Sequence, residues 1–228
     1  MSDIFQEVQE DLRTAQLKAL WERYGILVIG GAVALVLGTA LAVYWQDKAD
    51  SESEAAAMKY LAAEQLSVEG KPADAVAQFS KLAQETDIEG YALMARMKEA
   101  ATRLETGDRT GAIAAYDALA ADSGLDPLLR DVSSLKAALL LFDTASADEL
   151  KLRLMPLAKE DSPVRHSAKE ALAFIAMREN SLDAARAQFQ ELADALDAPR
   201  GVRARAAEML DSLPAAPKAA AASDPAKK

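Results

Sequence analysis

The pattern of hydrophobic positions divides the chain into one continuous apolar stretch and a longer region of periodic, amphipathic segments. The stretch from Tyr24 to Trp45 contains no charged residue, and its 22 positions would form a helix of roughly 33 Å. The hydrocarbon core of a bilayer is about 30 Å thick, and aromatic residues stand at both ends of the stretch, where such rings settle at the headgroup level. We therefore expect residues 24–45 to form a single transmembrane helix.

Two other interpretations of this stretch are a cleaved signal peptide and a buried core helix. A signal peptide has a basic start and an apolar core of about 7 to 15 residues. Residues 1–23 instead carry three basic and five acidic side chains, and the apolar core is longer, although Ala40-Leu41-Ala42 has the small-x-small form of a cleavage site. A helix that is apolar around its whole circumference over this length is typical of a membrane span, so an uncleaved anchor is favoured over a core helix.

The segments on either side of the stretch are predicted to be helical as well. Residues 1–23 form an amphipathic arm with one apolar stripe, made of Ile4, Phe5, Val8, Leu12 and Ala15. Residues 46–56 are polar and rich in helix formers, so we expect them to continue the helix as a stalk.

Small residues recur every four positions within the apolar stretch and would form one smooth ridge on its helix. They are Gly30, Ala34, Gly38 and Ala42. Such ridges let two membrane helices pack closely, which favours a second membrane helix as the partner. The abundance of Ala and Gly in this chain explains the same spacing without any partner.

Beyond the stalk, four segments repeat one pattern, in which a bulky residue is followed three positions later by Leu and then by Ala. The bulky residues are Phe79, Tyr116, Leu154 and Phe189, and the Leu residues that follow them are spaced by 37, 38 and 35 positions. Sixteen positions before each bulky residue, in a separate helical segment, stands an alanine: Ala63, Ala100, Ala138 and Ala173. Each unit is therefore expected to be a pair of helices that pack through a small residue.

Turn residues separate the predicted helices. Gly70, Gly107 and Asn180 follow the first helix of their units, where a left-handed backbone is needed. Between units, proline is expected in the first turn of the next helix, at Pro127, Pro163 and Pro199.

The third unit departs from this pattern. It has no glycine at its turn, and Pro156 inside its second helix should kink that helix.

The end of the chain is expected to cap the array. Residues 199–213 are expected to form a capping helix, because the last unit cannot bury its apolar face alone. Residues 214–228 lack apolar periodicity and are expected to be a disordered tail.

A period near 37 with these small and aromatic positions resembles the tetratricopeptide repeat, over about residues 57–195. The consensus Trp-x-x-Leu-Gly opening is absent. The resemblance implies an all-α fold, in which the transmembrane helix precedes an α-solenoid of about four helix pairs and a capping helix at residues 57–213.

In such arrays the first helices line a concave face, and the positions 22, 19, 15 and 12 residues before each bulky residue point into it. The first unit contributes polar residues such as Glu64 and Ser67, whereas the later units contribute an apolar set: Met94, Met97, Leu104, Val132, Leu135, Leu139, Phe142, Phe174 and Met177. A Met-rich surface adapts to varied apolar segments, so we predict a partner-binding groove. The alternative is that these side chains are ordinary core.

Composition and charge narrow the chemistry. Hydrophobic residues make up 51% of the chain but aromatics only 5%, so Ala and Leu dominate and favour helices. The net charge of −10 argues against a nucleic-acid partner. One histidine, His166, and no cysteine cannot form a usual zinc site, and neither a Walker nor a G-x-S-x-G motif occurs. We predict no enzyme, no cofactor and no small-molecule substrate.

The order of a short arm, one membrane helix and a small array of such repeats resembles the YfgM-like family of ancillary SecYEG translocon subunits in Gram-negative bacteria. The resemblance implies a cytoplasmic N-terminus and a periplasmic repeat domain at the inner membrane. It also implies association with the translocon and a periplasmic chaperone, with unfolded proteins as clients. A structural adaptor, which holds membrane or envelope proteins together without binding clients, is the alternative.

Overall fold

A computed structural model of the protein describes residues 3–214, and every regular element in that range is a helix. The side chains of residues 3–17, 19, 20 and 28 are outside this description, and so is the expected tail beyond residue 214. The apolar stripe predicted for the arm therefore lies outside the described side chains. By its contacts the chain divides into two units, residues 1–58 and 59–228.

Helix α1, Asp3–Val68, contains the apolar stretch. Among the described residues it is the one helix long and apolar enough to cross a membrane, with a mean hydropathy of 2.6 over an 18-residue window. None of that window is buried, and Ile26, for example, is 84% exposed.

The remaining helices belong to the second unit and alternate as the repeat pattern predicts. Their bounds are α2 Pro72–Glu85, α3 Glu89–Glu105, α4 Arg109–Ala121, α5 Pro127–Leu140, α6 Ala147–Leu154, α7 Arg165–Arg178, α8 Leu182–Asp194 and α9 Arg200–Ser212. The first helices of the four pairs are residues 59–68 of α1, then α3, α5 and α7, and the second helices are α2, α4, α6 and α8. The predicted all-α array of repeats is confirmed, with α9 packed after the last pair.

The alanines and bulky residues of the repeat form the contacts between the helices of each pair. The four alanines have no exposed surface, and the four bulky residues are at most 2% exposed: Ala63, Ala100, Ala138, Ala173, Phe79, Tyr116, Leu154 and Phe189. Because alanine has only a methyl group, the second helix approaches closely enough for its bulky side chain to be enclosed.

Three clusters of buried residues lie at successive junctions of the array. One cluster joins α3, α4 and α5 around Tyr116, a second joins α5, α6 and α7 around Leu154, and a third joins α7, α8 and α9 around Phe189. Each pair therefore completes its core with the first helix of the pair that follows, as expected for a solenoid.

The turns inside the pairs have the predicted left-handed backbone. The φ angles of Gly70, Gly107 and Asn180 are 75°, 79° and 58°. Between pairs, Pro127 is the first residue of α5, and the side chain of Asp126 accepts a hydrogen bond from the amide of Leu128 at 2.8 Å. The other two prolines stand just before their helices instead of inside the first turn, at Pro163 and Pro199.

The second helix of the third pair ends where a kink was expected. Helix α6 stops at Leu154, and Pro156–Ala158 form a 3₁₀ turn. Proline has no amide hydrogen to donate to the preceding turn, so the α-helical ladder cannot continue through it. The 3₁₀ turn still directs Leu157 into the core, where it is 5% exposed.

We predict that Leu154→Ala lowers the free energy of unfolding by about 2–5 kcal/mol, because it leaves a cavity in the middle cluster. Leu152→Ala on the same helix is the matched control, since Leu152 is 77% exposed. Its effect should stay within about 0.5 kcal/mol. Urea unfolding followed by circular dichroism measures both, and equal losses in the two variants would contradict the assigned packing.

Candidate protein-interaction surface

The first-helix face, defined by the predicted groove positions on α3, α5 and α7, is exposed at three of its apolar residues. Met94 and Leu139 are each 46% exposed, and Leu104 is 38% exposed. Exposed large apolar side chains on neighbouring first helices offer contact area to a polypeptide.

The rest of the predicted groove set lies deeper. Leu135 is buried in the middle cluster, so its side chain belongs to the core. Five others are half-buried: Met97, Val132, Phe142, Phe174 and Met177. Phe174, for example, packs edge to face on the ring of Phe189, with centroids 5.2 Å apart. The available surface is thus narrower than the nine positions alone indicate.

A cavity of about 370 Å³ lies where the end of α1 meets α2 and α3. It is lined by polar residues of the first helices, Glu64, Ser67, Lys98 and Glu105, and by the ring of Phe79. Lys98 Nζ lies 2.6 Å from Glu64 Oε1, and its hydrogen bond with this carboxylate raises the pKa of Lys98. The sequence predicted polar groove residues in the first unit. It did not predict the cavity, because two of the lining residues, Lys98 and Glu105, each stand one position after a predicted groove residue.

At the other end of the face, the capping helix covers Glu170. This carboxylate is 8% exposed, and the guanidinium of Arg205 in α9 donates to both of its oxygens at 2.7 Å. Glu170 is one of the positions that the repeat pattern directs into the groove, so α9 occupies that part of the face. The ion pair also satisfies a charge that would otherwise be buried without a partner.

His166 is buried at a contact between α7 and the segment that precedes α9. Its Nε2 lies 3.3 Å from Asp197 Oδ2, and Arg165 binds the same carboxylate. Within residues that the structure describes, no group of three His, Asp or Glu residues is arranged to hold a metal ion.

The small residues of the apolar stretch are exposed on α1. This holds for all four of them, Gly30, Ala34, Gly38 and Ala42. A Cβ atom placed on Gly30 or Gly38 would meet no atom within 4 Å, so the ridge is open.

Comparison with known proteins identifies a repeat family. The family profile described as tetratricopeptide repeat-like domain matches residues 18–215. A crystal structure from Podosopora anserina, described as a kinesin light chain with nearly identical TPR-like repeats, is similar with a TM-score of 0.50. The match covers 68% of this chain and 82% of that chain at 14% identity, which shows a shared fold alone. No curated protein matches the sequence.

We predict that Arg205→Met destabilises the repeat domain by about 1–3 kcal/mol, because it leaves the Glu170 carboxylate buried without its cation. Combining it with Glu170→Leu should restore much of the loss, since no charge is then left unpaired. Urea unfolding of the single and double variants measures the coupling. A double variant as unstable as Arg205→Met would show that the pairing does not stabilise the cap.

Proposed function

Because the chain belongs to the tetratricopeptide repeat-like domain family, we propose that it is a membrane-anchored module that binds other proteins through its first-helix face. The observation that carries this proposal is the exposure of Met94, Leu104 and Leu139 on that face. Their exposed side chains, on the adjacent first helices α3 and α5, offer apolar contact area to a protein partner.

The anchor in this proposal is residues 24–45 of α1. The support is the length of the stretch, its lack of charge and the exposure of its side chains along the helix. Exposed apolar side chains of this kind are unfavourable in water and favourable in a bilayer. Tyr44 and Trp45, 64% and 60% exposed, would then lie at the membrane interface.

The proposed setting is the bacterial inner membrane, with the N-terminus in the cytoplasm and the repeat domain in the periplasm. The proposed partners are a SecYEG-like translocon and a periplasmic chaperone, and the proposed task is to assist the handover of translocated, unfolded proteins. The order of arm, membrane helix and repeats along the chain supports this setting. The apolar character of Met94, Leu104 and Leu139 suits unfolded clients, which expose apolar side chains in varied sequences.

A second candidate function is that of a structural adaptor, which the open ridge on α1 favours. Gly30 and Gly38 leave room for another helix to approach closely. In this function the ridge binds a membrane protein and the repeat domain binds an envelope protein, without any client.

The topology of the chain in the membrane tests the proposed cellular setting. We expect reporter fusions to show a cytoplasmic N-terminus and a periplasmic C-terminus in bacterial cells. A fusion at each terminus, with a reporter active in only one compartment, makes the measurement. A cytoplasmic repeat domain would exclude the translocon-associated function.

Client binding by the first-helix face is tested by adding charge where it is exposed. We expect Met94→Glu with Leu139→Glu to weaken the binding of a thermally unfolded test protein by about tenfold or more, because a charge must be desolvated against an apolar segment. Leu152→Glu with Leu196→Glu is the matched control, since both leucines are exposed, on α6 and after α8. Aggregation suppression by the full chain in nanodiscs makes the measurement.

The outcomes of that experiment separate the two functions. Equal suppression by both double variants would reject client binding on this face. If Gly38→Leu then removed a crosslinked membrane partner from the otherwise unchanged protein, the adaptor function would be supported instead.

A further inference from the structure

The first helix of the first pair exposes a face that the later first helices bury. The residues 21 positions before the bulky residues of the later three units have no exposed surface: Ala95, Ser133 and Ala168. Their equivalent in the first unit, Met58 of α1, is 65% exposed. The residue 14 positions before the bulky one follows the same pattern, since Ile175 of the last unit has no exposed surface and Gln65 of the first is exposed.

In the later units this face is the surface on which the array stacks. Helices α3, α5 and α7 pack on the second helices that precede them, α2, α4 and α6. Ala168 and Ile175 of α7, for example, lie in one cluster with Leu150 and Leu154 of α6. In the first unit the same surface is left uncovered by the described part of the chain.

Four residues of α1 form this open surface, named here the α1 seam: Met58, Leu61, Gln65 and Val68. Leu61 is 57% exposed and Val68 is 82% exposed. The spacings of three, four and three positions are those of the a and d residues of a heptad, by which one helix packs along another. The seam therefore fits a second helix better than an extended chain.

Charge favours a second copy of this chain as the source of that helix. The chain has a net charge of −10 and 27% charged residues, yet the α1 seam contains none. The two carboxylates beside it are already paired with lysines of the same chain, Glu64 with Lys98 at 2.6 Å and Glu69 with Lys71 at 2.9 Å. Two acidic copies can therefore meet at their seams without like-charge repulsion.

The opposite end of the array limits how two copies can meet. Helix α9 covers the last pair, with Val202 and Ala206 packed in the cluster around Phe189. A second copy therefore cannot extend the array by stacking its last pair on the seam. A seam that meets the seam of another copy gives a closed, two-fold symmetric dimer instead.

We propose that the α1 seam binds the α1 seam of a second copy, as a pair of parallel helices. In a parallel pair each residue faces its own equivalent, so the two Gln65 carboxamides, which both donate and accept, can bond to each other. In an antiparallel pair Gln65 would face Leu61, and its buried amide would lack that partner. A single polar residue at an a position also fixes the register of two helices. This self-association goes beyond the proposed function and does not require client binding.

The test uses single cysteines in the full chain reconstituted in liposomes, because the chain has no cysteine of its own. The seam variants are Leu61→Cys and Val68→Cys. Lys59→Cys on the same helix is the matched control, since its side chain is 60% exposed and lies off the seam. We expect disulfide-linked dimers to form about tenfold faster at both seam positions, because a disulfide needs Cα atoms within about 7 Å. Comparable rates at all three positions, or fast linking at only one seam position, would overturn the proposal.

A charged substitution tests whether the seam itself brings the copies together. Leu61→Glu combined with Val68→Cys should slow disulfide formation about tenfold, since two carboxylates would then face each other in the dimer. Leu152→Glu combined with Val68→Cys is the control and should leave the rate unchanged, because Leu152 is exposed on α6. An unchanged rate with Leu61→Glu would overturn the proposal. So would a photoreactive residue at position 61 that captures only a different protein in cells.

The outcome is separable from that of the proposed function, whose test changes Met94 and Leu139. If the seam cysteines do not link while client binding still depends on those two residues, the seam proposal is rejected and the proposed function remains. If the seam cysteines link but client binding does not depend on Met94 and Leu139, self-association stands and client binding on the first-helix face is rejected.

Discussion

The close approach of neighbouring helices at an alanine is the constraint on which the rest of the repeat domain depends. Ala63, Ala100, Ala138 and Ala173 have no exposed surface, and a larger side chain at any of them would separate the two helices of its pair. Because the bulky residue opposite is enclosed only when the next pair is also in place, no pair is self-sufficient. The array therefore needs the last helix, α9, which buries Val202 and Ala206 in the cluster around Phe189.

The sequence predicted the features that depend on local chemistry, and missed those that depend on how successive pairs are rotated. The left-handed turns at Gly70, Gly107 and Asn180 follow from residue type alone. By contrast, Leu135 and Leu139 occupy equally plausible groove positions, yet the first is 8% and the second 46% exposed. Leu135 packs in the cluster that α5 forms with α6 and α7, whereas Leu139 lies outside it. Which side of α5 is covered depends on how the next pair packs on it, and so do contacts of long side chains across 30 or more residues, such as Arg205 with Glu170.

Charged side chains hold the register of the junctions that the apolar clusters form. Arg96 pairs with Asp122 at 2.7 Å, Arg153 with Asp117 at 2.8 Å and Lys151 with Glu179 at 2.6 Å. All six side chains remain about a third exposed, so each pair contributes little stability by itself. Two of the three start from α6, the shortest of the α-helices in the repeat domain. Ion pairs from the second helix of the third pair therefore join that pair to the pairs before and after it.

The 3₁₀ turn after α6 has a mechanical consequence. The amide of Met155 still bonds to the carbonyl of Lys151 at 2.9 Å, but the bond from the amide of Ala158 to the carbonyl of Met155 is 3.3 Å long and spans only three residues. Such turns have poorer hydrogen-bond geometry than an α-helix and open with less free energy. A force applied along the array, as by a chain under tension, would therefore be absorbed at the third unit first. The neighbouring units would then keep their structure while the third unit opens.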